Sequence, residues 1–196
     1  MGQDGHIPET MGQVIEDIRW NSRYQVEMAI AWQCFYQSTV RGDETGPNPT
    51  DRGKLGTKRH VLTDKNGIPL SVVVTAANTH DMKAAIETLD SIVVRRPGRK
   101  KKKHSNNLCL DKGYNFLEIE TEVVRRRYVP HIRHRGEKKK HWSGSGKRRR
   151  WVVERTNSWH NRFRKLLIRY EKKSENYLGL VQLACCIIVY RSILLG

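Results

Sequence analysis

The sequence is poor in the residues and patterns that mark secreted, membrane and nucleotide-binding proteins. Its four cysteines include no CxxC pair, so we expect a reduced, intracellular protein without a disulfide scaffold or a cysteine zinc site. The longest nearly apolar run, residues 178–190, is shorter than the roughly 20 residues that a membrane span needs. Phosphate-binding glycine loops and a Gly-x-Ser-x-Gly motif are missing, so nucleotide cofactors and acyl transfer have no support.

Acidic residues are scarce relative to basic ones. The 196 residues include 37 Lys and Arg against 20 Asp and Glu, which gives a formal net charge of +17. The bases are clustered, because residues 95–103 hold seven of them and residues 125–150 hold twelve with a single acid. Such runs are often only solvated surface, but several clusters in one small domain favour a polyanionic partner.

The hydrophobic pattern predicts a mixed α/β domain. Strands are predicted at 27–36, 58–63, 68–76, 108–110 and 128–132, with Asn66-Gly67 as a hairpin turn. Helices are predicted at 11–18, 81–94, 116–127, 151–170 and 176–194. The last helix is so apolar that we expect it to be buried. A hairpin followed by alternating helices and strands predicts a mixed sheet with helices on its faces.

Two carboxylates lie where such a sheet carries its functional groups. Asp111 directly follows the fourth predicted strand, and ligands bind at strand ends in sheets of this kind. Glu154 lies in the first turn of the helix predicted at 151–170. Each has a plainer explanation, because Asp favours turns and Glu is favoured near a helix N-terminus. Between a strand and a helix, Asp81 is expected to cap the helix, and His80 is a candidate neighbour of phosphate.

Four short blocks carry a more specific signal than any single residue. They are residues 45–60 (TGPNPTDRGKLGTKRH), 77–81 (ANTHD), 108–114 (LCLDKGY) and 150–156 (RWVVERT). In this order they closely resemble bacterial insertion-sequence transposases of the IS5 group, which belong to the IS4-like, DDE class. The similarity covers about residues 42–196. We therefore expect residues 42–196 to form a DDE transposase catalytic-type domain and residues 1–41 to be a poorly matching segment, degenerate or frameshifted.

The resemblance implies an RNase H-like mixed sheet flanked by helices, here incomplete at the N-terminus. It also implies DNA cleavage and strand transfer by two Mg²⁺ ions, or Mn²⁺, held by three carboxylates. Asp111 matches the second catalytic Asp and Glu154 matches the Glu, while His80 and Asp81 match a motif that borders the site. The basic residues that we expect to contact DNA are Arg52, Lys54, Lys58, Arg59, Lys112, Arg150, Arg155, Arg162 and Lys165.

The same resemblance implies partners and a location. The partner is DNA, both the terminal inverted repeats of the element and the target, and the protein is expected to self-associate on it. No membrane is involved, and the expected location is the bacterial cytoplasm, in association with the nucleoid.

The chain departs from the family pattern at the first catalytic Asp. That residue should end the first strand near Tyr36 or Gln37, but residues 32–40 contain no Asp. Two hypotheses stay open: a transposase that cleaves DNA, with its chemistry impaired by this loss, and a non-catalytic DNA-binding remnant of a transposase. A basic RNA-binding protein would explain the charge but not the four blocks.

Overall fold

The computed structural model describes residues 28–93, 106–132 and 150–194. Their strands are β1 Met28–Ser38, β2 Gly46–Pro47, β3 Leu55–Thr63, β4 Pro69–Ala76, β5 Asn106–Leu110, β6 Tyr128–Ile132 and β7 Ile168–Arg169. Their helices are α1 Asp81–Asp90, α2 Leu117–Arg125, α3 Arg150–His160, α4 Arg164–Leu167 and α5 Ser174–Leu194, with a short 3-10 turn at Lys112–Tyr114. The helix predicted at 11–18 and the basic run 95–103 lie outside the described residues.

The strands form one mixed sheet. The order across the sheet is β4-β3-β1-β5-β6, with β2 paired to the start of β3 and β7 paired to the end of β1. β3 runs antiparallel to β1 and β4, whereas β5 and β6 run parallel to β1. The expected α/β class, a mixed sheet flanked by helices, is confirmed, and β1 lies at the centre of the sheet.

The β3–β4 hairpin forms where Asn66-Gly67 predicted it. Asp64 closes the turn, because its Oδ1 accepts hydrogen bonds from the backbone N–H groups of Asn66 and Ile68 at 2.9 and 2.8 Å. Gly67 has a φ of +81°, a conformation that side chains rarely adopt. Local turn chemistry therefore accounts for this connection.

Alternation along β3 builds a different core on each face of the sheet. Lys58, His60 and Leu62 point to the side covered by α1 and α2, which we call the α1 face. Arg59 and Val61 point to the side covered by α3 and α5, which we call the α3 face. Both faces are buried, which explains why β4 reads as a nearly continuous apolar run.

The prediction of a single helix at residues 151–170 is wrong. α3 ends at His160, α4 begins at Arg164, and Ile168–Arg169 forms β7 beside β1. Pairing with β1 and burial of Arg169 outweigh the helical pattern of the segment, because tertiary contacts routinely override local propensity. The basic residues of this region consequently do not share one helix.

The C-terminal helix is only partly buried, which corrects the expectation that it must be. α5 buries a stripe of Tyr177, Val181, Ala184 and Ile188–Val189, while other apolar side chains such as Leu183 remain exposed. Within the described residues it is the one helix long and apolar enough to cross a membrane by length and composition alone. Its contacts with β4 and α3 are those of a helix packed on a sheet.

Candidate active site

Asp111 lies at the end of a strand that pairs with the central strand of the sheet. It follows β5, whose last residue, Leu110, lies opposite Ile30 of β1 and Ile132 of β6. The Asp111 side chain is half-buried at this strand end. A carboxylate placed here is held by a rigid element, as a catalytic group requires.

The turn after Asp111 is fastened to the α1 face through Tyr114. The Tyr114 hydroxyl lies 3.1 Å from His60 Nδ1, and His60 Nε2 lies 2.9 Å from Thr75 Oγ1. Burial, then the charges of Asp81 and Asp111, raise the pKa of Tyr114. Burial lowers the pKa of His60 to about 4, with the Lys58 cation adding to this and Asp81 opposing it. Both groups are therefore neutral at pH 7.

Asp81 contacts the same turn from α1. Its Oδ1 lies 3.1 Å from Lys58 Nζ, and Lys58 also donates to the carbonyl oxygen of Thr79 at 2.7 Å. A Cβ atom on Gly113 would lie only 2.8 Å from Asp81 Oδ2. The Asp81 carboxylate and the turn that follows Asp111 thus pack without room for a side chain between them.

His80, not Asp81, occupies the N-cap position of α1, which corrects the expected cap. The His80 Nδ1 atom accepts from the backbone N–H of Met82 at 3.4 Å, and Asp81 is the first helical residue. The His80 ring meets the Phe116 ring edge-on, with centroids 5.2 Å apart. Both residues of this pair border the turn after Asp111.

Glu154 is exposed on α3, a helix that packs on β1 and β3 and reaches β5 through Val153. Val153 is fully buried and packs against Cys109, two residues before Asp111. The helix is tied to the hairpin turn, because Thr156 Oγ1 donates to the carbonyl oxygen of Gly67 at 2.6 Å. The start of α3 therefore contacts the strand that ends at Asp111, and the middle of the helix contacts the hairpin turn.

The basic residues expected to contact DNA separate into three groups. Lys58 and Arg59 are buried, with Lys58 paired to Asp81 and Arg59 stacked 3.2 Å from the centroid of the Tyr36 ring. Arg155 is half-buried, lies about 5 Å from the rings of Trp151 and Trp159, and donates to the carbonyl oxygen of Asn66. The exposed members are Arg52, Lys54, Arg162 and Lys165. For Lys112 and Arg150 the backbone alone is described, in the 3-10 turn and at the start of α3.

One buried residue at the carboxyl end of β1 was not predicted as a site residue from the sequence. The Arg169 guanidinium is fully buried and donates to the carbonyl oxygens of Asp43, Glu44, Glu171 and Lys172 and to Thr57 Oγ1. It joins the loop after β1 to the segment after β7. The pattern hides it, because Arg169 follows Ile168 in a stretch that reads as an amphipathic helix.

Comparison with known proteins assigns this arrangement to a family. Residues 37–189 match the family described as the transposase DDE domain, which is most of the chain. The chain belongs to the DDE transposase family. Over 151 residues it is also 36% identical to the "Putative transposase for insertion sequence element IS402" of Burkholderia cepacia, covering 76% of this chain and 70% of that protein. It therefore belongs with the transposases of insertion sequences.

A solved structure, the synaptic complex of the piggyBac transposase with hairpin DNA, gives a TM-score of 0.40 at 14% identity. The match covers 70% of this transposase, which spans 31% of that chain. Family membership indicates a nucleic-acid-cleaving enzyme that acts on DNA and depends on divalent metal in general.

Asp111 and Glu154 are two of the three carboxylates that the resemblance predicts for a two-metal centre. The sequence of β1, MAIAWQCFYQS, contains no carboxylate for the third. The register places Ala31 level with Asp111, and Tyr36 lies five residues, about 17 Å, further along the strand. Within 28–93, 106–132 and 150–194, no group of three His, Cys, Asp or Glu side chains is placed to hold a metal ion.

Proposed function

We propose that this transposase binds the ends of an insertion sequence and target DNA, and that the missing β1 carboxylate impairs cleavage and strand transfer. The observation that carries the proposal is the position of Asp111 at the end of β5, together with the packing of Val153, the neighbour of Glu154 in α3, against Cys109 of that strand. In the proposal residues 42–196 form the catalytic-type domain around the central strand β1. The metal is Mg²⁺ or Mn²⁺, and the protein self-associates on DNA in the bacterial nucleoid.

The proposed DNA surface surrounds the carboxyl end of β1. Gln37 pairs with Gly56, which follows the loop that carries Arg52 and Lys54. On the other side, the Tyr36 hydroxyl donates to Asn161 Oδ1 at 2.9 Å, which places the turn carrying Arg162 at the same end. Exposed cations on two converging segments suit the phosphate backbone, whose contacts supply most non-specific affinity.

The alternative function, a DNA-binding remnant without chemistry, is favoured by the composition of β1. It differs from the first in one respect only, which is whether any acid serves as the third carboxylate. Asp43 lies in the loop that follows β1, and Asp51 lies between β2 and β3. Both hypotheses predict the same binding and differ in nicking.

Nicking of supercoiled plasmid in Mg²⁺ or Mn²⁺ separates these hypotheses. We expect the wild-type chain to nick weakly and the Asp111→Asn variant to nick at background, with Glu118→Gln on the far side of α2 as the matched control. Activity that survives Asp111→Asn would sink the site assignment. Nicking at background in the wild type, with DNA binding intact, would establish the remnant.

Returning a carboxylate to β1 sharpens the result. We expect one of two single variants, Ala31→Asp or Gln37→Asp, to raise metal-dependent nicking, because the first lies level with Asp111 and the second matches the family's spacing. The DNA-binding affinity of both should stay unchanged. If neither variant nicks while both fold and bind DNA, the missing Asp does not explain the impairment.

The DNA surface is tested by the salt dependence of binding to a random-sequence duplex. Each phosphate contact contributes about 0.9 to the slope of log K against log salt. We expect Arg162→Gln with Lys165→Gln to lower that slope by about two, and Lys173→Gln with Arg191→Gln to serve as an exposed control pair. An equal loss from both pairs would show that net charge alone drives binding.

A further inference from the structure

The outer edge of β4 presents backbone groups to its surroundings. Among the described strands, only β3 pairs with β4. The backbone groups of Leu70 and Ala76 point away from β3. The Leu70 carbonyl accepts a hydrogen bond from Val93 N–H at 3.3 Å, and Ala76 N–H donates to Glu44 Oε2 at 3.1 Å. Alternation along an antiparallel strand then directs the N–H and C=O groups of Val72 and Val74 outward between these two anchors.

Within residues 28–93, 106–132 and 150–194, the opposite edge of the sheet carries protective features that β4 does not. β6 contains Pro130, which has no N–H to offer, and three arginines at 125–127 precede it. Proline and clustered charge are the usual devices that keep an edge strand from pairing with another chain. Between Leu70 and Ala76, β4 has no proline and no charged residue.

The β4 edge forms one side of an apolar groove of about 580 Å³. α5 provides the facing wall with Leu178, Leu183 and Val189, and the Leu183 side chain is 57% exposed. This volume is typical of sites that bury a ligand, which run from about 300 to 1,000 Å³. Because the long side of the groove is a strand edge, its shape fits an extended peptide.

The charge of this groove is opposite to that of the chain. Glu44, Glu87 and Glu175 line it, and no Lys, Arg or His is among its described lining residues, although the net charge is +17. Phosphate is disfavoured here and a cationic segment is favoured. A second copy presenting its own β4 edge would bring the same three glutamates together, so two-fold pairing of this edge is also disfavoured.

We infer that the groove is a docking site for a protein partner, which contributes an extended segment that joins the sheet beside β4. Backbone hydrogen bonds to Val72 and Val74 would supply affinity, as in other complexes in which a peptide extends a sheet. Alternate aliphatic residues would face α5, and Lys or Arg at the ends of the segment would meet the glutamates. The inference does not depend on DNA cleavage.

The binding test uses a fluorescein-labelled peptide, Lys-Lys-Val-Thr-Val-Thr-Val-Lys-Lys, and fluorescence anisotropy with the full chain. We expect saturable binding that weakens with salt. Two changes to the peptide should each abolish it: Glu in place of every Lys, and N-methylation of alternate central amides, which removes the strand hydrogen bonds. Equal binding of the N-methylated peptide would overturn the strand-addition geometry.

Variants of the chain locate the site. Glu87→Lys with Glu175→Lys should weaken peptide binding about tenfold or more and leave affinity for duplex DNA unreduced. Glu118→Lys, an exposed acid on α2 outside the groove, is the matched control and should bind the peptide like wild type. Unchanged binding in the double variant would overturn the assignment. A chain that forms dimers lost in the same double variant would instead show a second copy as the occupant, and would overturn the proposed partner.

Discussion

The two faces of the sheet accommodate buried charge in different ways. On the α1 face, Lys58 is paired with the Asp81 carboxylate, and both side chains are nearly inaccessible. On the α3 face, the Arg169 guanidinium donates to four carbonyl oxygens and one hydroxyl. A charge pair can be replaced by changing both partners, whereas backbone carbonyls cannot be removed by substitution. The α1 face should therefore tolerate compensated changes that the α3 face does not.

The largest effect is expected from Arg169→Leu. The substitution leaves buried carbonyl oxygens of two loops without their donor, so we expect a loss of about 3 kcal/mol or more in the free energy of unfolding. Urea denaturation followed by circular dichroism measures it. Arg164→Leu, an exposed arginine on α4, is the control and should change stability by less than about 0.5 kcal/mol. A small loss for Arg169→Leu would show that the guanidinium does not hold these loops.

On the α1 face, a double-mutant cycle tests whether the charge pair is replaceable. Lys58→Met and Asp81→Leu should each destabilise the fold by about 3 kcal/mol, because each strands one buried charge. The double variant should lose less than either single variant, since no buried charge remains. Losses that simply add in denaturant unfolding would argue against a direct Lys58–Asp81 interaction.

Acid should destabilise the α1 face through His60. The pKa of His60 is lowered to about 4 in the folded chain. As the pH falls, the unfolded chain therefore binds a proton at His60 near pH 6.5, whereas the folded chain binds it only near pH 4. Stability is then complete above pH 6.5 and falls by up to about 1.4 kcal/mol per pH unit between pH 6.5 and 4.

Comparison with His60→Gln isolates this contribution. The variant retains hydrogen-bonding groups but cannot titrate, so its stability should depend less on pH in the same window. His160, on the α3 face, has its pKa lowered to about 3 by burial and by the Arg59 cation, so it contributes a further loss of stability in acid. Identical slopes for wild type and His60→Gln would contradict the buried, neutral state of this ring.

The smallest loss of stability is expected from two glycine substitutions. Comparing them separates the cost of backbone strain from the cost of disturbing the contact of α3 with the hairpin turn. Gly67 and Gly53 both have positive φ, +81° and +73°. A Cβ atom at Gly67 would lie 3.0 Å from Thr156 Oγ1, whereas one at Gly53 would meet nothing within 4 Å. Gly53→Ala should cost about 1 kcal/mol from strain alone, and Gly67→Ala about 1 kcal/mol more. Equal costs would show that α3 yields to the added methyl group.

The sequence predicted those parts of the fold that depend on local chemistry. The strand 128–132 and the hairpin at Asn66-Gly67 follow from β-branched residues and from a turn dipeptide, and both are confirmed. β7 was missed, because Ile168 and Arg169 form a strand only through pairing with β1. In the pair Gln37–Ile168 the two residues are 131 positions apart in the sequence. Long-range pairing leaves no local signal.

The sequence predicted the carboxylates of the candidate site but not the buried residues that surround it. Asp111 and Glu154 could be named from the four blocks, and their roles stay a prediction. Burial of Lys58 and Arg59 could not be foreseen, because a basic pair in a motif reads as a phosphate contact whichever face of the strand it occupies. Only the packing of both faces of β3 shows that these charges serve the interior.

The docking of α3 on the hairpin turn has a consequence for how such sequences diverge. The hydrogen bond from Thr156 to Gly67 and the contact of Val153 with Cys109 define the place of Glu154 without reference to the connection between β6 and α3. Insertions or deletions within that connection would leave the spacing of Asp111 and Glu154 intact. We therefore expect relatives to vary in the length of that connection. The length of the β3–β4 hairpin should stay constant among them, because its turn contacts α3.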